Sequence, residues 1–195
     1  RPFPERHQDV TVVEVHTDEG ITGIGAGGVL TRLNTAAALF VGRDVPKKGL
    51  DLALAAAGPE YDLVAVTDRT GPVGPGARLL PFMARERLER LYAAADAFVL
   101  PSEAEGIPVA LQEAMASGLP VVTPYAPGYE STFLPTDIAP VERAAPSVRA
   151  ALLALAADPS ERRRLAARSR AVAASAFSLD AFVDGYERLL QGLAG

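Results

Sequence analysis

The chain of 195 residues carries 19 basic and 24 acidic side chains, a net charge of −5, 49% hydrophobic residues, and no Cys or Trp. That composition is globular, fits one large domain or one domain with an appendage, and excludes a disulfide-stapled scaffold and a Cys-based zinc site. The mild acidity speaks against a broad nucleic-acid face, no apolar run approaches the roughly 20 residues of a membrane span, and no secretory leader is expected.

Residues 1–35 differ in texture from the rest. Val10 to Thr17 is apolar and β-branched, Asp18-Glu19-Gly20 is a turn signal, and Ile21 to Ala26 returns, which together predict a β-hairpin. Gly23 to Gly28 matches G-x-G-x-x-G, a pattern that lets backbone approach a pyrophosphate when a strand precedes it and a helix follows. Leu30 to Leu39 is a poor helix and Asp44 is badly placed for a ribose, so the glycines are read as a flexible hinge, with a dinucleotide site as the lesser alternative. The stretch VEVHTDEGITGIG resembles the capping-domain hairpin of the enolase superfamily. Ala26 stands where that family usually has Glu, and no barrel follows, so the resemblance implies no chemistry.

From residue 36 the pattern alternates. Strands are predicted over Ala37–Val41, Tyr61–Thr67, Arg78–Phe82, Ala97–Leu100 and Pro120–Thr123. Helices are predicted over Leu50–Ala57, Arg85–Ala95 and Pro108–Ser117, then over Ser147–Ala157, Ser160–Ala176 and Leu179–Leu193. Parallel strands need crossovers, so this alternation is a doubly wound α/β domain with C-terminal helices and the N-terminal hairpin as an appendage. The run Arg162-Arg163-Arg164 with Arg168 and Arg170 reads as a solvated helix face rather than an anion site.

Three clusters fall at the C-terminal ends of predicted strands, where open α/β sheets bind ligands. The first is Gly42-Arg43-Asp44-Val45-Pro46-Lys47-Lys48-Gly49. Lys47 and Lys48 are the chain's only lysines. Arg43 as a planar fork and Lys48 as a point charge can address adjacent phosphate oxygens; the alternative is a surface turn. The second runs from Pro101 to Gly118. Pro108 suits a first helical turn, so the N–H groups of Ile107, Val109 and Ala110 point above the strand end and favour an anion, while Gly106 allows close approach. Glu113 lies on a helical face shared with Val109, Ala110, Ala116 and Ser117, where a carboxylate needs a partner. A hydroxylated ligand or a salt bridge would each supply one. The third cluster is Pro127-Gly128-Tyr129-Glu130, in which Tyr129 and Glu130 could equally be structural.

G-R-x-x-P-x-K-G, then a strand ending in P-S, then E-G-x-P-x-x-x-x-E-A-M-A-S-G-x-P-V-V, with the helix end Leu91 to Asp96, resembles the family 4 glycosyltransferases of the GT-B fold over residues 36–193. Glu105 and Glu113 match that family's pair of glutamates eight positions apart. The resemblance implies a Rossmann-like, nucleotide-sugar-binding domain over residues 36–195, beside a separate segment over 1–35. It implies retaining transfer without a metal or other cofactor. It gives Arg43 and Lys48 the diphosphate, with Gly42 beneath them, and Glu113 the ribose. Glu105, with the Gly106-Ile107 backbone and the helix start at Pro108 and Val109, takes the transferred sugar and its phosphate, and Phe82 and Met83 border the base. Arg43, Lys48 and Glu105 are thereby the expected catalytic groups.

The absence of any Asp-x-Asp agrees with a donor that is not clamped by a metal. Thr67-Asp68-Arg69-Thr70 stands where the family has a glycine-flanked turn, which puts ligand contacts there in doubt. Residues 1–35 are too few to form an acceptor domain. The chain is therefore read as the donor-binding half of a hexosyltransferase-like enzyme, a fragment or a product of gene rearrangement, that turns over poorly alone. A non-catalytic nucleotide-binding or assembly module, docking with a separate acceptor-binding chain, is the alternative. The expected location is cytoplasmic or peripheral to the membrane, with no transmembrane segment and no nucleic-acid partner.

Overall fold

The computed structural model describes residues 12–16, 22–26, 36–103 and 106–193. The chain divides into two units, residues 1–34 and 35–195. In the first, β1 (Val12–His16) and β2 (Thr22–Ala26) form an antiparallel pair with Val12 opposite Ala26 and His16 opposite Thr22. Gly23 and Gly25 sit inside β2, opposite Val15 and Val13. They are ladder residues, which corrects both the hinge and the dinucleotide-loop expectations for these two positions; Gly27 and Gly28 lie outside the described residues.

The second unit is a six-stranded parallel sheet with the order β5-β4-β3-β6-β7-β8. Its strands are β3 (Ala36–Val41), β4 (Tyr61–Val66), β5 (Ala77–Leu80), β6 (Ala97–Val99), β7 (Val121–Thr123) and β8 (Ala139–Pro140). β3 and β6 read as unbroken apolar runs because both of their faces are covered, and β4 is interrupted only by the half-buried Asp62. Phe40, Leu63, Val66, Phe98 and Val99 have no solvent exposure at all. The helices are α1 (Leu50–Ala56), α2 (Arg85–Ala94), α3 (Val109–Ala116), α4 (Ala145–Ala157), α5 (Pro159–Val172) and α6 (Leu179–Leu193). A π-helical turn over Ala173–Phe177 joins the last two.

Three differences from the sequence reading matter. β5 stops at Leu80, so Pro81, Phe82 and Met83 form a loop instead of finishing the strand. β8 was not expected; it is two residues long, and its Pro140 is tolerated because it occupies the sheet edge. Pro108 is the N-cap of α3, one position outside the helix. Four of the five arginines of α5 contact other parts of the fold, and Arg163 is exposed. Arg162 donates to the carbonyls of Leu155 and Ala156, Arg164 pairs with Glu161, Arg168 pairs with the buried Asp137, and Arg170 lies across Gly118.

The strand order locates the crevice. The connection from β3 through α1 to β4 runs toward one edge of the sheet, whereas that from β6 through α3 to β7 runs toward the other. Right-handed crossovers then place α1 and α3 on opposite faces. The loops after β3 and β6 diverge, and the gap between them is the sheet's switch point.

Candidate functional site

One wall of this gap is the loop 42–49. Gly42 follows β3 directly, its N–H donating to the Val66 carbonyl at 3.0 Å. A Cβ on Gly42 would lie 3.8 Å from Lys48 Cδ, so the lysine stem passes over the strand end, and 3.3 Å from the ring of Phe40 below. Arg43 is exposed and Lys48 half-buried. Pro46–Lys48 forms a 3-10 turn that ends on Gly49 in the left-handed region, φ 73°. A Cβ there would stand 2.2 Å from the Pro101 carbonyl oxygen, so only glycine lets this loop close on its neighbour.

The segment after β4 braces that wall. Arg69 forks onto both oxygens of Asp44 at 2.7 Å and reaches Asp51 at 2.6 Å. These hydrogen bonds, those to Asp44 foremost, hold the guanidinium firmly charged. Asp68 accepts the Asp44 N–H at 2.6 Å. That bond, with help from the Thr67 hydroxyl and the Arg43 charge, keeps the Asp68 carboxyl below the usual range. Thr67 to Arg69 therefore shape the loop that carries Arg43 and Lys48.

The opposite wall follows β6. Leu100, Pro101 and Ser102 are buried, and the Glu103 N–H donates to the Lys47 carbonyl at 2.7 Å. Arg143, just past β8, ties the walls together: it donates to the Pro46 carbonyl at 2.6 Å and pairs with Glu103 at 3.3 Å. Glu105 lies outside the described residues. Gly106 is exposed, and a Cβ on it would meet nothing within 4 Å. Ile107 is anchored by Gln112, whose Nε2 donates to its carbonyl at 3.0 Å. The Pro108 carbonyl accepts from Leu111 and Gln112, and no side chain caps α3. The N–H groups of Val109 and Ala110 are left without an acceptor among the described residues, which is the electrostatic condition for holding an anion. Pro108 itself has no N–H to offer.

Glu113 is half-buried one turn further along α3. Its Oε2 accepts the Tyr92 hydroxyl at 3.0 Å, so the partner it needs is in part a phenol from α2. Burial, reinforced by the Glu113 charge, pushes the Tyr92 phenol well above its ordinary range. Phe82, 52% exposed, and the half-buried Met83 stand at the C-terminal end of edge strand β5, two strands from β3. The structure thus joins the Arg43–Lys48 loop to the loop leading into α3 by direct bonds, and holds Glu113 through α2.

The third cluster is structural. Tyr129 is buried in an aromatic group with Tyr125 and Phe133, at centroid distances of 5.9 and 4.9 Å. Glu130 accepts the Gly128 N–H at 2.7 Å. Arg143, Tyr92 and the Arg69 brace were not anticipated from sequence. Among the described residues no group of three or more His, Cys, Asp or Glu side chains could hold a metal ion, and no helix is long and apolar enough to cross a membrane. A shallow depression, with room for about 10 Å³, is lined by Ala37, Tyr61, Asp96, Leu152, Ala156 and Arg162. It lies at the N-terminal ends of the strands, away from every candidate residue.

Residues 73–172 match the family model described as "Glycosyl transferases group 1". A GDP-mannose-dependent alpha-mannosyltransferase of Mycolicibacterium smegmatis is 35% identical over 167 residues, 77% of this chain and 43% of that protein. The sucrose-phosphate synthase of Thermosynechococcus elongatus superposes with a TM-score of 0.70 at 24% identity, over 82% of this chain and 46% of the synthase. The C-terminal domain of a glycosyl transferase group 1 family protein from Francisella tularensis superposes with a TM-score of 0.64 at 19% identity, covering 74% of this chain and 87% of that domain. The chain spans less than half the length of the mannosyltransferase and of the synthase.

Proposed function

The chain belongs to the group 1 glycosyl transferases, and from that premise we propose that residues 36–195 are the donor-binding half of a retaining, metal-independent transferase that takes a nucleotide-diphosphate sugar. The observation that carries this reading is the gap between β3 and β6, with Arg43 and Lys48 on one wall and the uncapped start of α3 on the other. In this reading Arg43, Lys48 and the N–H groups of Ile107, Val109 and Ala110 hold the diphosphate over Gly42 and Gly106. Glu113 takes the ribose hydroxyls, Phe82 and Met83 border the base, and Glu105 holds the transferred sugar.

When the bond from the anomeric carbon to the phosphate oxygen breaks, its electron pair goes to the diphosphate. The acceptor oxygen bonds to that carbon, and its proton leaves with the phosphate. Fixed cations and helix amides aimed at the departing oxygens lower the barrier because they need no reorganisation as the charge grows. No metal is needed in this reading, since Arg43 and Lys48 supply the positive charge.

The test is a melting and calorimetry series with UDP-, GDP- and ADP-sugars. A ligand at roughly a hundredfold excess over its Kd adds about 2.7 kcal/mol of stability, several degrees in Tm for a domain of this size. The double variant Arg43→Ala/Lys48→Ala is expected to lose that shift while keeping its unliganded Tm. Failure of every nucleotide sugar to shift the wild type overturns the reading. A second reading is a binding module that depends on a separate acceptor-binding chain. Release of nucleoside diphosphate by the isolated chain on adding an acceptor sugar would defeat it.

A further inference from the structure

Tyr92 is 2% exposed, and its ring is wedged between helix and sheet, 6.1 Å from the ring of Phe98 on β6 and tilted by 43°. Its hydroxyl is the one polar part of a side chain otherwise fixed by packing, and it is spent on α3. It donates to Glu113 Oε2 at 3.0 Å and reaches the Ala110 carbonyl at 3.3 Å. Ala110 and Glu113 are three residues apart, on one face of the helix that begins at the gap. A carboxylate at the end of three rotatable bonds is poorly directed by itself. Here one oxygen is pinned by a buried donor held in place by packing, while the Arg85 guanidinium at the start of α2 lies near enough to feel the Glu113 charge.

We propose that Tyr92 is a positioning residue for ribose recognition: by pinning Glu113 Oε2, it sets the carboxylate in the orientation that receives the ribose hydroxyls of the donor. The proposal rests on the reading of Glu113 as the ribose ligand. Tyr92 itself touches no substrate. A phenol suits the task because burial disfavours its ionised form, so it remains a donor to the carboxylate throughout the neutral range.

The experiment compares GDP, UDP and ADP with their 2′,3′-dideoxy counterparts by calorimetry, in the wild type, Tyr92→Phe, Glu113→Gln and Phe98→Leu. The ratio of the two affinities isolates the hydroxyl contacts from those of base and phosphates. In the wild type that ratio is expected to be on the order of tenfold for the preferred base, the size of one hydrogen bond to a charged group. Glu113→Gln should bring it toward unity. Tyr92→Phe should cut it to below about threefold while leaving the dideoxy affinity within about twofold. Phe98→Leu loosens the packing of the ring but keeps its hydroxyl, so it should lower Tm and leave the ratio intact.

A Tyr92→Phe ratio equal to that of the wild type overturns the proposal. So does an equal loss of affinity for both nucleotides, or a ratio in Phe98→Leu that falls as far as in Tyr92→Phe, since either makes Tyr92 a packing residue only. Binding of no nucleotide at all by the wild type instead overturns the donor-site reading. A wild-type ratio of one with binding intact overturns the ribose role of Glu113 alone.

Discussion

Two glycines in the two walls make opposite demands. Gly49 has φ 73° and faces the Pro101 carbonyl so closely that a Cβ would stand 2.2 Å away. Left-handed backbone costs an L-residue about 1–2 kcal/mol, and the clash is with main chain that cannot rotate aside. Gly49→Ala is therefore expected to destabilise the domain by at least about 2 kcal/mol, read from the urea midpoint, and to weaken nucleotide binding by parting the walls. Gly106 has open space around it. Gly106→Ala should stay within about 0.5 kcal/mol of the wild type yet weaken nucleotide-sugar binding, because what it provides is backbone approach. Unchanged binding in Gly106→Ala would remove this residue from the site.

Tyr61 provides a further check at the same scale. Its hydroxyl donates to the Ala56 carbonyl, and burial pushes its phenol up to about 12. Above a pH of about 10 the unfolded chain releases this proton while the folded chain keeps it. Stability is thus complete below that point and is lost as pH rises toward 12. Guanidinium midpoints measured from pH 9 to 12 should fall across this window, and fall less steeply in Tyr61→Phe.

Between elements, the latch formed by Arg143 joins loops 97 residues apart in the chain. Glu103 is largely exposed, and such pairs contribute little to folding. Arg143→Ala should accordingly leave Tm almost unchanged while lowering nucleotide-sugar affinity several-fold, because it frees the two walls to separate; a fall in Tm without a change in affinity would make it a stability residue. This latch also marks where legibility ended. β3 and β6 were readable because a strand covered on both faces must be apolar throughout, β4 because Asp62 alone interrupts its apolar run, and α3 because its proline-led start and small-residue face are local features. Gly49 and Lys48 could be picked out as residue types at a strand end. Arg143, Tyr92 and Arg69 could not. Each acts on a partner 18 or more positions away that only the fold supplies, and Arg143 follows a two-residue strand too short to leave a periodic signal.

For the molecule as a whole, the informative region is α6. Leu179, Phe182, Val183, Tyr186 and Leu190 recur at helical spacing, and all are between 43% and 75% exposed. Within the second unit the helix packs chiefly on the π-helical turn that precedes it, and the Phe182 and Tyr186 rings pack on each other at 4.7 Å. A helix that buries so little of its own apolar face adds little to the stability of the sheet, and the β3–β6 gap owes none of its bonds to it. Deleting residues 179–195 is therefore expected to leave the cooperative melting transition within about 3 °C of the full chain and nucleotide-sugar affinity unchanged. It should also abolish most binding of a hydrophobic dye, since the exposed stripe goes with the helix. Scanning calorimetry and dye fluorescence on the two chains decide the matter. A broad, early transition in the shortened chain would show that α6 is part of the cooperative unit, and undiminished dye binding would place the exposed apolar surface elsewhere.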